Sequence, residues 1–374
     1  MAQERKKRTI VIASVLKPVD DTRMLEKMGM TLAGDDYTVT IIGYPSLKTP
    51  QLPASVRLIT LPSFKRLSSS RWLARWQVFR HCLRLKPDLL IFNTHELLIP
   101  AVLLRLLRRT PLVYDVRENY KWNILHSGSI RHPVRQLIAG MVRLKEILTS
   151  PFISHFFLAE PAYENEFKFH HGRFTLLGNK AIVGPRARRY DGKDLHLIFT
   201  GTVDESTGVF DAIQLASQLH QQDPAIQLTI MGYAALTETR RKLQDAADSL
   251  DFIRLAGISH LVPHSEILEA ISTAHAGFLL YKPSPHVDAS YPTKLYEYLS
   301  ARLPIILNRH WPWMPEFENY RPFLLADSGP EGLTGILESL KKPNFYPEDP
   351  PSIHWSDEVP RFLSIVDEQT QAGG

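Results

Sequence analysis

Short apolar runs alternate with stretches of helical periodicity along the first half of the chain. Runs rich in Val, Ile, Leu and Phe are typical of strands buried on both faces of a parallel sheet. These runs predict strands at 9–15, 37–44, 56–61, 88–92, 111–115, 154–159 and 174–177. Apolar positions three or four apart predict helices between the strands, including 21–32, 71–85 and 97–107. This alternation indicates an α/β domain with a parallel sheet.

The same pattern starts again after a polar segment at 183–194, which contains Pro and Gly as a linker does. The predicted strands are 195–200, 227–231, 252–256, 276–280 and 305–308, and the predicted helices are 209–219, 237–247, 265–273 and 293–301. A Pro-rich stretch at 342–351 then precedes an amphipathic helix at about 357–369. We therefore expect two doubly wound Rossmann-like domains, at 1–185 and 186–345, and a tail at 346–374.

The two halves of the chain carry opposite net charge. Residues 1–190 contain 31 Lys and Arg against 14 Asp and Glu, a balance of +17, whereas the remainder carries −12. The first domain is therefore expected to face an anionic partner such as a phospholipid surface. Simple attraction between the two halves is the alternative. No nucleic-acid-binding motif accompanies the charge, so a nucleic-acid partner is not expected.

Cysteine usage and hydropathy bear on the compartment. Cys82 is the only cysteine, which excludes an intramolecular disulfide and favours a reducing compartment. The most apolar run, 97–107, contains Arg105 and is shorter than the roughly 20 residues of a membrane span. The basic start of the chain is followed by Lys17-Pro18 without the cleavage site of a signal peptide. We expect a cytoplasmic protein, peripheral at most on the inner membrane face.

Open α/β sheets bind ligands at the carboxyl ends of their strands, so two such domains predict a cleft between them. The dinucleotide fingerprint G-x-G-x-x-G and the phosphate loop of NTPases are absent, as is the G-x-S-x-G of α/β-hydrolases. Hydride transfer, NTP hydrolysis and ester hydrolysis by those motifs are therefore not expected.

Two segments have residue types that suit an anionic nucleotide. The loop 199–209 joins a strand to a helix, and Gly201 and Gly208 let backbone N–H groups approach a ligand closely. Hydroxyl groups in this loop add donors, at Thr202, Ser206 and Thr207. An ordinary connecting loop is the alternative interpretation.

The second segment is 290–299. Pro292 suits the first turn of a helix, and Lys294 and Glu297, three residues apart, share a face near its N-terminus. A lysine suits a phosphate, and a carboxylate accepts two hydrogen bonds from a ribose diol. A surface ion pair between the two side chains is the alternative.

These segments carry a resemblance to a known family. Pro-Thr-Lys-Leu-Tyr-Glu-Tyr-Leu at 292–299, followed by Arg-Leu-Pro-Ile-Ile at 302–306, resembles the donor-binding helix of family 4 retaining glycosyltransferases. The loop 201–208 resembles the phosphate loop of that family, and further similar segments lie at 17–23, 113–118 and 177–180. The resemblance runs over nearly the whole chain. It implies the GT-B fold, with an interdomain cleft and a last helix that crosses back to the first domain.

The resemblance also implies roles for individual residues. On the donor side, these are Gly201, Thr202, Ile258, Thr293, Lys294 and Glu297, with Glu297 on the donor ribose. On the acceptor side, they are Lys17, Asp21, Arg23 and Arg117. The candidate catalytic residues are Glu118, in the segment that usually reads Tyr-Asp-x-His-Glu, and His95. His95 follows a predicted strand, and a solvated or capping histidine is the alternative for it.

Several positions depart from the family pattern. The first glutamate of its E-x7-E motif falls at Ala289, and the cations of its phosphate loop fall at Thr202 and Thr207. Arg117 stands where the family has histidine. Lys294, helix dipoles and Arg117 are then expected to meet the phosphate charge. No D-x-D motif occurs, so neither a metal nor another cofactor is expected.

The sequence therefore predicts a retaining, metal-independent glycosyltransferase that moves a sugar from an NDP-sugar to a glycan or lipid-linked acceptor, as in polysaccharide biosynthesis. Two alternatives stay open. One is a nucleotide-sugar epimerase or hydrolase on the same fold, and the other is a catalytically silent homologue that binds a partner protein.

Two basic clusters in the first half contain residues that bilayer interfaces favour. Phe64-Lys65-Arg66 precedes Arg-Trp-Leu-Ala-Arg-Trp at 71–76, and Arg-His-Pro-Val-Arg at 131–135 precedes Met-Val-Arg-Leu-Lys at 141–145. Docking on an anionic membrane is one interpretation, and burial of Trp72 and Trp76 in the core is the other. In the tail, an apolar stripe is expected to pack on the first domain, formed by Trp355, Val359, Phe362, Leu363 and Val366.

Overall fold

The structure, a computed structural model, describes residues 7–46, 50–62, 69–125, 132–284, 287, 290–342 and 345–372. The chain divides into two compact units. The first unit combines Met1–Asn179 with Glu358–Gly374, and the second is Lys180–Asp357.

The first unit is built on parallel strands: β1 (Arg8–Pro18), β2 (Tyr37–Tyr44), β3 (Val56–Thr60), β4 (Leu89–Phe92), β5 (Leu112–Val116), β6 (His155–Leu158) and β7 (Phe174–Leu176). They form one seven-stranded sheet in the order β3-β2-β1-β4-β5-β6-β7. Ile12 in β1 is in register with Ile41 on one side and Ile91 on the other. The centre of β1 is buried on both faces, as its uninterrupted apolar run predicts.

The helices of this unit connect the strands: α1 (Thr22–Gly29, a π-type helix), α2 (Ser69–Leu85), α3 (Leu98–Arg108), α4 (Tyr120–Leu125), α5 (His132–Thr149) and α6 (Tyr163–Glu166). Short 3-10 turns lie at His95–Leu97, Ser150–Phe152 and Lys168–His170. Asp21 caps α1 by accepting a hydrogen bond from the Met24 N–H at 3.0 Å.

The second unit repeats this design with β8 (Leu195–Thr202), β9 (Ile226–Tyr233), β10 (Ile253–Ala256), β11 (Ala276–Leu279), β12 (Ile305–Leu307) and β13 (Phe323–Leu325). The sheet is parallel, in the order β10-β9-β8-β11-β12-β13. Its helices are α7 (Val209–Gln222), α8 (Thr237–Ser249), α9 (His264–Thr273), α10 (Thr293–Ala301), α11 (Met314–Phe317) and α12 (Pro330–Leu340). Further 3-10 turns lie at Glu205–Thr207, Glu318–Tyr320 and Trp355–Asp357.

The last helix, α13 (Val359–Ala372), belongs to the first unit. Phe362 is fully buried, and its ring centroid lies 5.7 Å from that of Phe157 in β6. The guanidinium of Arg8 donates to the hydroxyl of Thr370 at 2.8 Å. The end of the chain therefore completes the hydrophobic core that the beginning of the chain starts.

The segment before α13 differs from the tail expected at 346–374. Tyr346 and Ile353 are buried in the core of the second unit, and the Tyr346 hydroxyl donates to the Leu303 carbonyl at 2.8 Å. Because these contacts hold the segment, the second unit extends to Asp357 instead of ending at 345.

The structure excludes burial of the α2 tryptophans in the core, which is one of the two interpretations of this cluster. Trp72 is 63% exposed and Trp76 is 36% exposed, so neither is a core residue. The buried face of α2 carries the smaller side chains Ala74, Val78 and Cys82 instead. The guanidinium of Arg75 lies over the Trp72 ring, 4.1 Å from its centroid. Phe64-Lys65-Arg66 and Arg131 lie outside the described residues.

Within the part of the chain that the structure describes, no helix combines the length and the apolar character that crossing a bilayer requires.

Candidate functional site

The strand order of the second unit creates a switch point. Because β8 and β11 are neighbours in the sheet but not in sequence, the chain leaves their carboxyl ends toward opposite sides. The two loops are held together, since the Lys282 N–H donates to the Ser206 carbonyl at 2.9 Å and the Lys282 ammonium lies 2.8 Å from the Glu205 carboxylate. Open α/β sheets bind ligands at such a point.

Glycines set the shape of this edge. A Cβ on Gly232, at the end of β9, would lie 1.8 Å from the carbonyl oxygen of Gly201. Gly208, with φ of +80°, begins α7, and a Cβ there would lie 1.9 Å from the Leu280 carbonyl oxygen. Side chains at these positions would push the loops apart, so the sequence holds glycine where the backbone must approach closely.

Hydrogen bonds fix the loop between β8 and α7. Asp204 accepts from the Ser206 N–H at 3.0 Å, and the Asp204 N–H donates to the Thr207 hydroxyl at 3.0 Å, a reciprocal capping box. The Ser206 hydroxyl also donates to Asp204 at 2.8 Å. The hydroxyls of Ser206 and Thr207 therefore hold the loop together, which corrects the expectation that they serve as ligand donors, whereas Thr202 is exposed.

Lys294 lies buried in the first turn of α10, and its side chain passes Gly201 so closely that a Cβ there would lie 3.0 Å from the lysine Cε. Its ammonium nitrogen is 4.1 Å from the centroid of the Phe199 ring and 5.1 Å from that of Tyr281. It has no hydrogen-bond partner among the described residues. Burial lowers the pKa of Lys294 to about 7, against the opposing effect of Glu297.

Glu297 lies on the same face of α10 and is also buried. Its carboxylate is 3.1 Å from Nε2 of His264, the first residue of α9. The ion pair between Lys294 and Glu297 on an exposed surface, the alternative interpretation of this spacing, is excluded by the burial of both side chains. His264 was not among the predicted site residues, because a partner 33 positions away leaves no local signal.

The remaining donor-side residues lie at the same edge of the sheet. Ile258 follows β10, and its carbonyl accepts from the Ala234 N–H after β9 at 3.0 Å. Thr293 is the first residue of α10, after the cap residue Pro292. Asp288 and Ala289, next to the first position of the E-x7-E motif, lie outside the described residues.

The first unit has its own switch point, between β1 and β4. Two ion pairs join the end of β1 and the residues after it to the residues that follow β5. Lys17 pairs with Glu118 at 2.8 Å, and Asp21 pairs with Arg117 at 2.7 Å. Burial raises the pKa of Asp21, but Arg117 and Lys17 outweigh it and lower that pKa to about 2. For Glu118 the balance is similar, and Lys17 holds its pKa below the usual value against burial.

Arg23 lies deeper than the other acceptor-side residues. It is fully buried and forms a bidentate pair with Asp115, with nitrogen–oxygen distances down to 2.7 Å. It also donates to the Leu177 carbonyl at 2.9 Å. These contacts join α1 to β5 and to the residue after β7. Arg23 therefore holds these elements in position and does not face solvent.

His95 follows β4, next to this cluster in the sheet order. The Lys145 ammonium donates to its Nδ1 at 2.8 Å, so the ring proton is on Nε2, which lies 3.5 Å from the Glu96 carboxylate. The ring also packs edge-on against Tyr120 at 4.8 Å. The two residues that precede His95, Asn93 and Thr94, are buried. The side-chain oxygen of each has no hydrogen-bond partner among the described residues. These two residues were not predicted.

The described residues contain no group of three or more His, Cys, Asp and Glu side chains that could hold a metal ion. His260 and His264 have a spacing found in metal sites, but His264 pairs with Glu297.

The sequence matches no protein-family model and is not significantly similar to any curated protein. Its structure does match solved structures. Sucrose-phosphate synthase from Thermosynechococcus elongatus superposes with a TM-score of 0.72 at 13% identity, over 98% of this chain and all of that one. The Anabaena protein HepE, solved in complex with UDP and glucose, gives 0.64 at 12% identity, over 96% of this chain and all of HepE.

A third match is the UDP-GlcNAc 2-epimerase from Methanocaldococcus jannaschii, with a TM-score of 0.54 at 13% identity, over 97% of this chain and 99% of that one. At such low identity the shared property is the fold. The chain has the GT-B fold, which confirms the fold class predicted from the sequence.

Proposed function

We propose that the protein is a retaining, NDP-sugar-dependent glycosyltransferase of the family 4 type, with its donor bound at the β8/β11 switch point of the second unit. The observation that carries this proposal is the ammonium of Lys294, which is buried among rings and has no hydrogen-bond partner among the described residues. The UDP and glucose bound to HepE, and the enzyme name of sucrose-phosphate synthase, support a nucleotide-sugar as the ligand.

A diphosphate supplies what this lysine lacks. A buried ammonium is costly unless an anion accompanies it, and the positive end of the α10 helix dipole favours an anion at the same place. Thr202 and Thr207 stand where the resembling family has cations, and the hydroxyl of Thr207 is used within its own loop. Lys294 is therefore the main cation toward the phosphates. Charge on the leaving diphosphate is then stabilised by fixed protein groups without a metal ion.

Glu297 completes the donor site. Its carboxylate is held by His264 at 3.1 Å, which fixes the orientation in which it accepts hydrogen bonds from the ribose hydroxyls. The acceptor is a glycan or a lipid-linked sugar. It is bound by the first unit, where Lys17, Asp21, Arg117 and Glu118 form a charged cluster. Glu118 and His95 are the proposed catalytic residues.

Glu297→Gln is expected to weaken UDP binding about tenfold to a hundredfold, because it removes a charge-assisted hydrogen bond of about 1.5–3 kcal/mol. Isothermal titration calorimetry with UDP, ADP and GDP measures this loss. Glu269→Gln, an exposed carboxylate on α9, is the matched control and should bind like the wild type. Unchanged UDP affinity in Glu297→Gln would show that Glu297 does not hold the ribose.

The reaction itself is tested by incubating the protein with a panel of nucleotide-sugars, with and without glycan acceptors. Consumption that requires an acceptor supports transfer. Release of free sugar or an epimerised donor without an acceptor would favour the hydrolase or epimerase alternative, which the epimerase match keeps in view. Nucleotide binding without consumption would favour a silent, partner-binding homologue.

The first unit also has a surface suited to an anionic membrane, where a lipid-linked acceptor is presented. α3 contacts both α2 and α5, and all three helices expose large apolar side chains. More than half of each side chain is accessible at Trp72, Leu73, Leu106, Leu107, Leu137, Met141, Leu144 and Leu148. Arg80, Arg108 and Arg109 are exposed on the same helices or at their ends. Apolar groups beside cations match the interior and the headgroups of an anionic bilayer.

Wild-type protein is expected to cosediment with phosphatidylserine-containing vesicles but not with neutral vesicles, and salt should weaken the binding. The double variant Leu144→Gln/Leu148→Gln should bind about tenfold more weakly because it loses apolar contact. Leu236→Gln, an exposed leucine of the second unit, is the matched control. Absence of binding to anionic vesicles at low salt would rule out this docking surface.

A further inference from the structure

The second unit contains a cavity of about 240 Å³ that the proposed donor site does not use. It lies at the amino ends of the strands, whereas the proposed donor site lies at their carboxyl ends. His275 and Pro304 in the cavity wall directly precede β11 and β12. The eight residues of β8 separate these two ends of the sheet by roughly 25 Å. A ligand in this cavity is therefore distinct from a donor at Lys294.

Five cations line the cavity, which are Arg186, Arg188, Arg189, Arg302 and Lys342. Arg186 and Arg302 share a single carboxylate, that of Asp349, with shortest distances of 2.8 Å to each. Arg188 pairs with Asp191. Arg189 and Lys342 form no ion pair with any residue that the structure describes. The cavity therefore has a positive charge that the protein does not neutralise.

A buried hydrogen-bond donor also lines the cavity. His275 is 3% exposed, and its Nδ1 accepts from the backbone N–H of His196 at 2.9 Å, which leaves the ring proton on Nε2. That Nε2 forms no hydrogen bond of normal geometry with a described residue, and the Arg189 backbone beside the ring has only a small effect on it. Burial lowers the pKa of His275, and His196 and Arg188 lower it further against the smaller opposing effects of Asp191 and the Arg189 backbone, so the ring is a neutral donor.

We propose that this cavity is a binding site for a small phosphorylated molecule, with Arg189, Lys342 and the shared Arg186 and Arg302 around its phosphate and His275 donating to it. Guanidinium groups match phosphate oxygens in pairs, and several can serve one dianion. The cavity volume equals that of about eight water molecules, which is more than a bare phosphate needs. It is below the 300 Å³ or more that is typical of pockets for drug-sized ligands. A phosphomonoester with a small organic group fits this range.

The test is calorimetry with inorganic phosphate and with glycerol 1-phosphate, at constant ionic strength. Because phosphate could also bind at Lys294, the titrations use Lys294→Ala as well as wild-type protein, so the result does not depend on the proposed function. Both proteins should bind the phosphomonoester. Arg189→Ala and Lys342→Ala should each weaken it about tenfold, as expected for loss of one charge-assisted contact. Arg254→Ala, an exposed arginine in β10, is the control and should bind like the wild type.

Three outcomes would overturn the proposal. The first is that neither phosphate compound binds. The second is that binding disappears in Lys294→Ala but persists in Arg189→Ala and Lys342→Ala, which would place the anion at the donor site. The third is an equal loss in Arg254→Ala, which would show attraction to positive charge in general instead of a built site.

Discussion

Lys294→Met is expected to stabilise the ligand-free protein and, at the same time, to abolish its stabilisation by UDP. Burial of the wild-type ammonium is unfavourable, and it lowers the pKa of Lys294 to about 7. Methionine fills a similar volume between Phe199 and Tyr281 without a charge to bury. Removing this cost adds on the order of 3 kcal/mol to the free energy of unfolding near pH 7, which raises the melting temperature by about 5–10 °C.

The pH dependence of stability in the wild type and in Lys294→Met tests whether the effect comes from burial of a charge or only from the change of side chain. In the unfolded chain the lysine keeps its ordinary pKa of 10.5, so between pH 7 and pH 10 the unfolded state binds a proton that folded Lys294 has lost. The lysine therefore makes wild-type stability rise with pH in this window, and Lys294→Met loses that contribution. UDP binding has the opposite slope, because the diphosphate prefers the protonated lysine and its affinity falls up to about tenfold per pH unit above 7.

Thermal melts with and without UDP, from pH 6 to 9, measure both effects. Lys242→Met, which removes an exposed lysine that pairs with Glu238 on the surface of α8, is the matched control. It should change neither the melting temperature by more than a degree or two nor the response to UDP, because surface ion pairs contribute little. A Lys294→Met protein that is less stable than the wild type, or that still responds to UDP, would contradict the assignment of Lys294.

The strands were the most predictable part of the fold. An uninterrupted apolar run such as 9–15 has few alternatives to a strand buried on both faces, and β1 occupies it. β13 (Phe323–Leu325) was not predicted, because it is three residues long and only half-buried. α12 was not predicted either, although Pro330 in its first turn and the spacing of Leu333, Ile336, Leu337 and Leu340 signal a helix.

Periodicity finds the faces of a helix but not always the buried one. The Trp72 and Trp76 face of α2 is more apolar by residue type, yet the face with Ala74, Val78 and Cys82 packs on the core because small side chains let the helix approach the sheet. Phe79 and Leu83, on the same face as the tryptophans, are partly buried against this core, so hydrophobicity alone misplaces only the first turns of the helix. Close packing, which depends on the shape of the partner surface, decides between the two faces there.

In the candidate site, contacts between residues close in sequence could be predicted, whereas contacts between residues distant in sequence could not. Lys294 and Glu297 are three residues apart on one helix, so their common face follows from the sequence. The contact of Glu297 with His264 and the pair of Arg23 with Asp115 join residues 33 and 92 positions apart. Only the sheet order brings such residues together. The same holds for the burial that lowers the pKa of Lys294.

Phe362→Ala is expected to cost the first unit about 3–5 kcal/mol, the usual loss for a fully buried aromatic side chain. Phe362 lies in α13 against Phe157 of β6, and Val366 one turn later is equally buried. Since residues 358–374 complete a core begun by residues 1–179, a chain cut before Glu358 should lose more, with a lower melting temperature and new binding of a hydrophobic dye.

Thermal melts of Phe362→Ala beside Ser364→Ala, an exposed position on the same helix, separate loss of packing from loss of helix. Ser364→Ala should melt like the wild type, because alanine favours a helix and no buried group is removed. If Phe362→Ala or the shortened chain melts like the wild type, α13 does not stabilise the first unit. If the prediction holds, the first unit becomes stable only when the last helix has been synthesised, so the two units cannot be separated by cutting the chain once.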